Sequence, residues 1–264
     1  MGSFSFKKFT VRQQQSAMKV NTDGVLLPAW VNLNNFTKHN DEPFRVLDIG
    51  TGTGVIALIT AQRLEKEFAG SDVFEITGID IDEPSSQEAA FNFTASPWAG
   101  SLISRHISLQ TLIKDEGDKL CGKFSLILSN PPYFTSSLKA PGQRRSDARH
   151  NDILPFKDIL SAADILLSDQ GVLALVLPDN EAELFTEEAV SKAFRLLRIC
   201  RIKTLANKKA KRVLMEFSKR DADTKEAGET IEEELIIQEK GGEYYSHAYC
   251  SLVGDYYLKL FKTL

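Results

Sequence analysis

Asn130-Pro131-Pro132-Tyr133 sets a side-chain amide, two residues without backbone N–H groups and an aromatic ring in succession. An exocyclic amine conjugated to an aromatic ring is a weak nucleophile, because its lone pair is delocalised. The Asn130 side-chain carbonyl and the Pro131 backbone carbonyl can each accept one N–H bond, which draws the nitrogen toward tetrahedral geometry and aims its lone pair. Pro131 and Pro132 stiffen the loop and present carbonyls without competing donors. Tyr133, with Phe134 beside it, offers a face on which an extruded base stacks. No general base is required before attack, since the proton can leave to water once charge develops on nitrogen.

About eighty residues upstream, Val46-Leu47-Asp48-Ile49-Gly50-Thr51-Gly52-Thr53-Gly54 reads as a strand entering a glycine-rich turn. Glycines at 50, 52 and 54 let the chain turn sharply and let a ligand approach the backbone. A dinucleotide fingerprint would be G-x-G-x-x-G with a pyrophosphate at the helix N-terminus, whereas the spacing here is Asp48-x-Gly50-x-Gly52-x-Gly54. S-adenosylmethionine has no phosphate but has an ammonium group, which Asp48 can hold directly or through water. Asp80 closes the next strand at the spacing of an acid that accepts both ribose hydroxyls. Asp82 is expected to cap the following helix. Near the end of the third strand, where an acid would bind the adenine amino group, stand Ser108 and Gln110, of which Gln110 offers a neutral acceptor. Together the two motifs place a methyl donor beside an amine acceptor.

The elements that must position these residues alternate. Strands are predicted at Phe44–Ile49, Phe74–Asp82, Ser104–Leu109, Phe124–Leu128 and Val172–Leu177. Helices are predicted at Gly54–Leu64, Ser85–Thr94 and Phe156–Leu167. A helix through Glu181–Leu197 then leads to a hairpin of Ile199–Leu205 and Arg212–Phe217. This order predicts an α/β, Rossmann-like fold, with a mostly parallel seven-stranded sheet, helices on both faces and a C-terminal antiparallel hairpin. With 264 residues and 42% hydrophobic content, one large core is expected. We read a single domain over 1–264, with an N-terminal extension (1–42), a catalytic core (43–218) and a C-terminal embellishment (219–264).

No run approaches the roughly 20 apolar residues that span a bilayer, and the N-terminus lacks a signal-peptide pattern, so a cytoplasmic protein is expected. Cys121, Cys200 and Cys250 are odd in number, widely spaced and match no zinc pattern, which reads as ordinary reduced thiols and no metal. The net charge of −4 argues against unselective coating of nucleic acid. Its distribution is uneven. Arg195, Arg198, Arg201, Lys203, Lys208, Lys209, Lys211 and Arg212 fall in a stretch without acids, and Asp221, Asp223, Glu226, Glu229, Glu232, Glu233 and Glu234 follow. These are either two oppositely charged solvated surfaces or a basic face for RNA phosphates.

Asp48 to Gly54 and Asn130 to Tyr133 resemble the first motif and the amino-methylating motif of class I S-adenosylmethionine-dependent methyltransferases. Further segments are similar to the bacterial tRNA1(Val) adenine N6-methyltransferase family over nearly the whole chain. They are Phe9-Thr10-Val11, Met18 to Leu27, Asn130 to Phe134 with Arg144 and Ala148-Arg149-His150, Tyr244-Tyr245-Ser246, and Asp255 to Leu258. The resemblance implies N6 methylation of the adenosine 3′ of the anticodon in valine tRNA, with no obligatory protein partner. It also implies that Lys19, Thr22 and Asp23 lie near the cofactor and acceptor, and that Arg144, Arg149 and His150 contact the tRNA backbone. Thr22 or Asp23 could instead cap a helix, and the three basic loop residues could be merely solvated. Competing readings are methylation of a release-factor glutamine or of guanine N2 in ribosomal RNA, and a non-catalytic RNA-binding scaffold. The short segment before Asp48 argues against the first, chain length against the second, and the intact acceptor motif against the third.

Overall fold

The computed structural model describes residues 2–33, 43–68, 74–132, 154–219 and 229–260. Short apolar runs bounded by turn residues form β3 (Phe44–Ile49), β4 (Phe74–Asp80), β5 (Leu102–His106), β6 (Phe124–Ser129) and β7 (Leu167–Pro178), after a small N-terminal hairpin of β1 (Ser3–Ser5) and β2 (Thr10–Arg12). Among the described residues the main sheet has eight strands rather than the seven expected, in the order β10-β8-β9-β7-β6-β3-β4-β5, where β8 is Phe194–Lys203, β9 Arg212–Lys219 and β10 Ile231–Ile236. Only β9 runs against the rest. Strand order reverses between β3 and β6. In open α/β sheets the crevice at the carboxyl ends of such strands is where ligands bind.

Helices cover both faces. On one side α1 (Thr22–Trp30), α2 (Val55–Phe68), α3 (Glu83–Thr94) and a C-terminal helix (His247–Val253) pack on Val46, Ile76, Leu126 and Ala174. On the other, α4 (Leu109–Leu120), α5 (Phe156–Leu166) and α6 (Ala182–Ser191) cover Leu47, Ile79, Ile127 and Leu173. The alternating side-chain direction of each strand feeds both cores, so the strands read as continuous apolar runs.

Several boundaries depart from the sequence reading: β4 ends at Asp80 rather than Asp82, α2 runs on to Phe68 rather than Leu64, and β7 starts at Leu167 rather than Val172. The helix expected to reach Leu197 stops at Ser191; Ala193 takes a φ of 59°, and Phe194 enters β8 with its ring in the core. The third strand ends at His106 rather than Leu109, because Ser108 caps α4 through its Oγ, which accepts from the Thr111 amide at 3.1 Å. Gln110 therefore sits in the first turn of a helix, not at a strand end. The eighth strand, β10, has a sequence, Ile-Glu-Glu-Glu-Leu-Ile, too acidic to read as a strand.

Its partner makes it one. In parallel register with β8, Glu232 lies opposite Ile199 and Glu234 opposite Arg201, and each reaches two residues further along β8 to pair with Arg201 and Lys203, while Glu233 on the opposite face pairs with Arg198 at 3.0 Å. Arg198 also holds the buried Glu216 at 3.2 Å and stacks over the Trp30 ring at 4.3 Å from its centroid. Trp30 Nε1 donates to Glu233, and the Asn32 amide to Glu216. These contacts seat α1 against the far edge of the sheet. Arg63 does the same from α2, donating to the terminal carbonyls of Pro28 and Val31 at 2.6 and 2.7 Å.

Candidate active site

The glycine turn after β3 is the floor of a cavity of about 420 Å3. Gly50, Gly52 and Gly54 have φ of 73°, 56° and 80°, a region where a Cβ is strained. Gly54 also faces Phe93 of α3 so closely that an added Cβ would lie 2.4 Å from the ring. The Ile79 carbonyl accepts from the amides of both Gly50 and Thr51 at 2.9 Å, and Gly78 leaves room for Thr51, whose side chain a Cβ there would strike. The turn is thereby tied to the end of β4.

Asp80 lines the cavity. Its Oδ2 accepts from the Gly52 amide at 2.8 Å and its Oδ1 from the Asp82 amide at 2.9 Å. Each carboxylate oxygen has a second lone-pair site, so two hydroxyls of a ligand can still be accepted. Burial pushes the Asp80 carboxyl above the usual carboxylate range, against the pull of those amides. Asp82 caps α3, accepting from the Ser85 amide at 3.0 Å, and also borders the cavity.

Asp48 lies beneath the turn and is fully buried. Its Oδ2 accepts from the Thr51 hydroxyl at 2.7 Å. Thr51 is on the cavity wall and Asp48 is not, so the carboxyl meets the cavity through that hydroxyl. Burial raises the Asp48 pKa to about 7; the Thr51 bond pulls it down and the nearby Asp80 charge raises it further. Gly54 likewise stays off the wall, under Phe93, while Gly50 and Gly52 line it.

A segment of the N-terminal arm, Ser16 to Lys19, borders the cavity. Nothing in its sequence explains its position; α3 does. Glu88, fully buried on α3, accepts from the amides of Gln14, Gln15 and Ser16 at 2.7 to 3.2 Å and from Arg12 Nε at 3.3 Å. Burial alone would raise its pKa, but the three amides and the guanidinium outweigh it and hold the carboxyl below its ordinary range. One helical turn on, Asn92 accepts from the Arg12 amide and donates to the carbonyls of Arg12 and Thr53, each within 2.9 Å. The arm and the glycine turn thus share one anchor. Neither Glu88 nor Asn92 stands out in the sequence; their i, i+4 spacing on α3 is the only signal.

Of the arm residues singled out from the sequence, Lys19 lines the cavity and is exposed. Thr22 and Asp23 open α1 but do not cap it, because Asn21 does, accepting from the Gly24 amide at 2.9 Å. Asp23 instead pairs with Arg212 at 3.0 Å. Asn130 lines the cavity at the end of β6, nearly buried, with Nδ2 facing Met18 Sδ at 3.8 Å. Pro131 is buried and Pro132 borders the cavity. Gln110 is also on the wall. Tyr133, Phe134, Arg144, Arg149 and His150 lie outside the described residues.

A deep cleft with a carboxylate holding two free acceptor sites, a glycine turn and an apolar wall of Ile79, Ile81, Ile107 and Leu109 fits a nucleoside bearing an amino-acid chain. A solved chain from Agrobacterium tumefaciens, whose O-methyltransferase activity is itself only a prediction, shares the fold, with a TM-score of 0.62 at 17% identity over 92% of this chain and all of that one. Residues 31–205 match the model of the methyltransferase small domain. The fold and site define a class I methyltransferase. Proteins named tRNA1(Val) (adenine(37)-N6)-methyltransferase align nearly end to end. That of Flavobacterium johnsoniae is 39% identical over 97% of this chain and 100% of its own. That of Bacteroides fragilis is 37% identical over 97% and 98%, and that of Porphyromonas gingivalis 37% over 99% and 97%. The chain belongs to the tRNA1(Val) (adenine(37)-N6)-methyltransferase family.

Two measurements follow from the anchors. Glu88→Gln removes one of the two oxygens that gather the arm amides, at a cost of about 1–3 kcal/mol. The expected outcome is roughly tenfold weaker binding of S-adenosylhomocysteine by calorimetry; unchanged affinity would show that the arm does not shape the cavity. For Asp48 the folded pKa, about 7, exceeds the ordinary 3.8. Its contribution to stability is full below that ordinary value and is lost as pH rises through 7. Scanning calorimetry of the free protein should therefore show a larger loss of Tm from pH 5 to pH 8 than in Asp48→Asn; equal losses would rule out the buried acid as the cause.

Proposed function

We propose that this chain methylates N6 of adenosine 37 in tRNA1(Val), with S-adenosylmethionine as cofactor. The observation that carries the reading is a register. Ile49, just before the glycine turn, pairs with Ser129, just before Asn130, on adjacent parallel strands. Neighbouring strands lie about 4.8 Å apart, so the glycine turn and Asn130 open into the same cavity, which supports reading them as the cofactor turn and the amine-accepting amide. Ser129 Oγ donates to the Ile49 carbonyl at 3.0 Å and pins the two strand ends together.

In this reading the Asp80 carboxylate accepts the ribose hydroxyls, Gly50 and Gly52 admit the cofactor to the backbone, and Gln110 faces the adenine edge. Asp48 holds the turn from below through Thr51, and Lys19 closes the arm side. The bound cofactor supplies a sulfonium-activated methyl group. Asn130 Oδ1 and the Pro131 carbonyl accept the two N–H bonds of the acceptor amine and localise its lone pair. Tyr133 and Phe134 stack on the extruded base, and the proton released from nitrogen passes to water. Because an anticodon-loop base is already unpaired, extruding it costs less than opening a duplex.

The tRNA backbone needs cations near the cavity mouth. Much of the basic stretch is already committed, since Arg198, Arg201, Lys203 and Arg212 pair with acids. Lys208, Lys209 and Lys211 are exposed and enter no ion pair among the described residues. They occupy the β8–β9 connection, at the same end of the sheet as the cavity, because β8 runs parallel to β3 and β6. We assign them, with Arg144, Arg149 and His150, to the RNA phosphates. No helix among the described residues is long and apolar enough to cross a membrane.

Total tRNA from a strain lacking the gene, incubated with protein and S-adenosylmethionine and digested for mass spectrometry, should gain N6-methyladenosine at position 37 of tRNA1(Val). Asn130→Ala should lower the rate about 10²- to 10³-fold and leave S-adenosylhomocysteine affinity within a few-fold. Methylation that survives this substitution would remove Asn130 from the chemistry. Reversing Lys208, Lys209 and Lys211 to Glu should weaken tRNA binding and flatten its salt dependence by roughly one unit of slope per lost phosphate contact. An unchanged slope would take this loop out of the interface.

A further inference from the structure

The cavity wall beyond Asp80 is an apolar slot lined by Ile81, Ile107 and Leu109, and Ile81 is 54% exposed there. Gln110 stands at its polar edge. A glutamine amide has a donor end and an acceptor end, and the end that faces the slot decides which group on a flat ring is welcome. Gln110 Nε2 donates to Asp158 Oδ2 at 2.8 Å. An ionised carboxylate only accepts, so the amide nitrogen is the one end that can face it. Asp158 itself is not on the wall; it projects from the first turn of α5, whereas Gln110 belongs to α4. An acid in a first helical turn is favourable there whatever it bonds, so the position alone explains nothing about Gln110.

We propose that Asp158 is a positioning and specificity-determining residue, which locks the Gln110 amide so that Oε1 faces the slot and the site takes a 6-aminopurine and rejects a 6-oxopurine. The proposal rests on reading the cavity as the adenosyl site. An adenine ring seated in the slot would present N6–H donors to Oε1. A hypoxanthine ring would present a carbonyl oxygen at the same place, setting two acceptors face to face. A free amide would relieve that clash by rotating half a turn. Here rotation would swing Oε1 onto the Asp158 carboxylate, so the clash persists and becomes discrimination.

The test is calorimetric binding of S-adenosylhomocysteine and S-inosylhomocysteine to the wild-type chain, Asp158→Asn and Gln110→Leu. The wild type should prefer the adenosyl compound by about 10- to 100-fold. Asp158→Asn keeps the shape but can meet Gln110 with either end of its amide. It should hold adenosyl affinity within about threefold and gain roughly tenfold on the inosyl compound. Gln110→Leu should bring the two affinities together. A purely structural role for Asp158 would weaken both compounds alike, and an unchanged ratio in Asp158→Asn would overturn the proposal, as would equal wild-type affinities. Failure of the wild type to bind either compound would instead overturn the adenosyl reading of the cavity, and the proposal with it.

Discussion

The carbonyl of Ile79 accepts two successive amides, Gly50 and Thr51, and the next side chain, Asp80, accepts a third from Gly52. Three amides of a glycine turn are thereby held by the end of the neighbouring strand. A free turn of this kind would leave its donors to water and its shape to entropy, since glycine has more conformations to lose than any other residue. Clamped to β4, the turn becomes a fixed surface. Asp80 is oriented by the same bonds that shape the turn, so the cavity floor and its carboxylate are one construction. Asp48 completes it from below, fully buried, and that loss of solvent raises its pKa.

The second constraint comes from the side. α3 begins at Asp82, on the cavity, and carries Glu88 and Asn92 one turn apart to collect the N-terminal arm. A buried carboxylate is costly unless donors surround it, and here the donors are the main-chain amides of Gln14, Gln15 and Ser16. The interaction is reciprocal: the arm satisfies the charge, and the charge fixes the arm. Met18, at the end of this path, faces the Asn130 amide, so the arm bridges the glycine turn and the Asn-Pro-Pro segment across one cleft.

Charge organises the far edge. The acidic strand β10 lies parallel to the basic strand β8, and the pairing consumes Arg198, Arg201 and Lys203. The oppositely charged segments are thus not two separate solvated surfaces, because the strands that carry them pair with each other. The strand portion is a neutralised structural seam, and the turn beyond it keeps its exposed lysines. Mixed charge within a strand pair also blunts the sheet edge against pairing with another chain.

Much of the site was legible because its chemistry depends on residue type at short spacing. The glycine turn, the acid at the end of β4, the capping role of Asp82 and the Asn-Pro-Pro motif are local, and the βα alternation that sets them side by side follows from strand and helix periods alone. What escaped depended on partners distant in the chain. β10 reads as too acidic for a strand until β8 supplies the cations, Phe194 reads as helix until Ala193 turns the chain into the core, and Gln110 moves onto a helix because Ser108 caps it. Glu88 and Asn92 look like any polar helix residues until the arm folds over them. The sequence by itself determined the reaction type and the class of fold, because both are written in local residue chemistry. Only the tertiary structure decided which side chains are buried, which charges cancel and which way an amide points, because those are properties of pairs brought together across the chain.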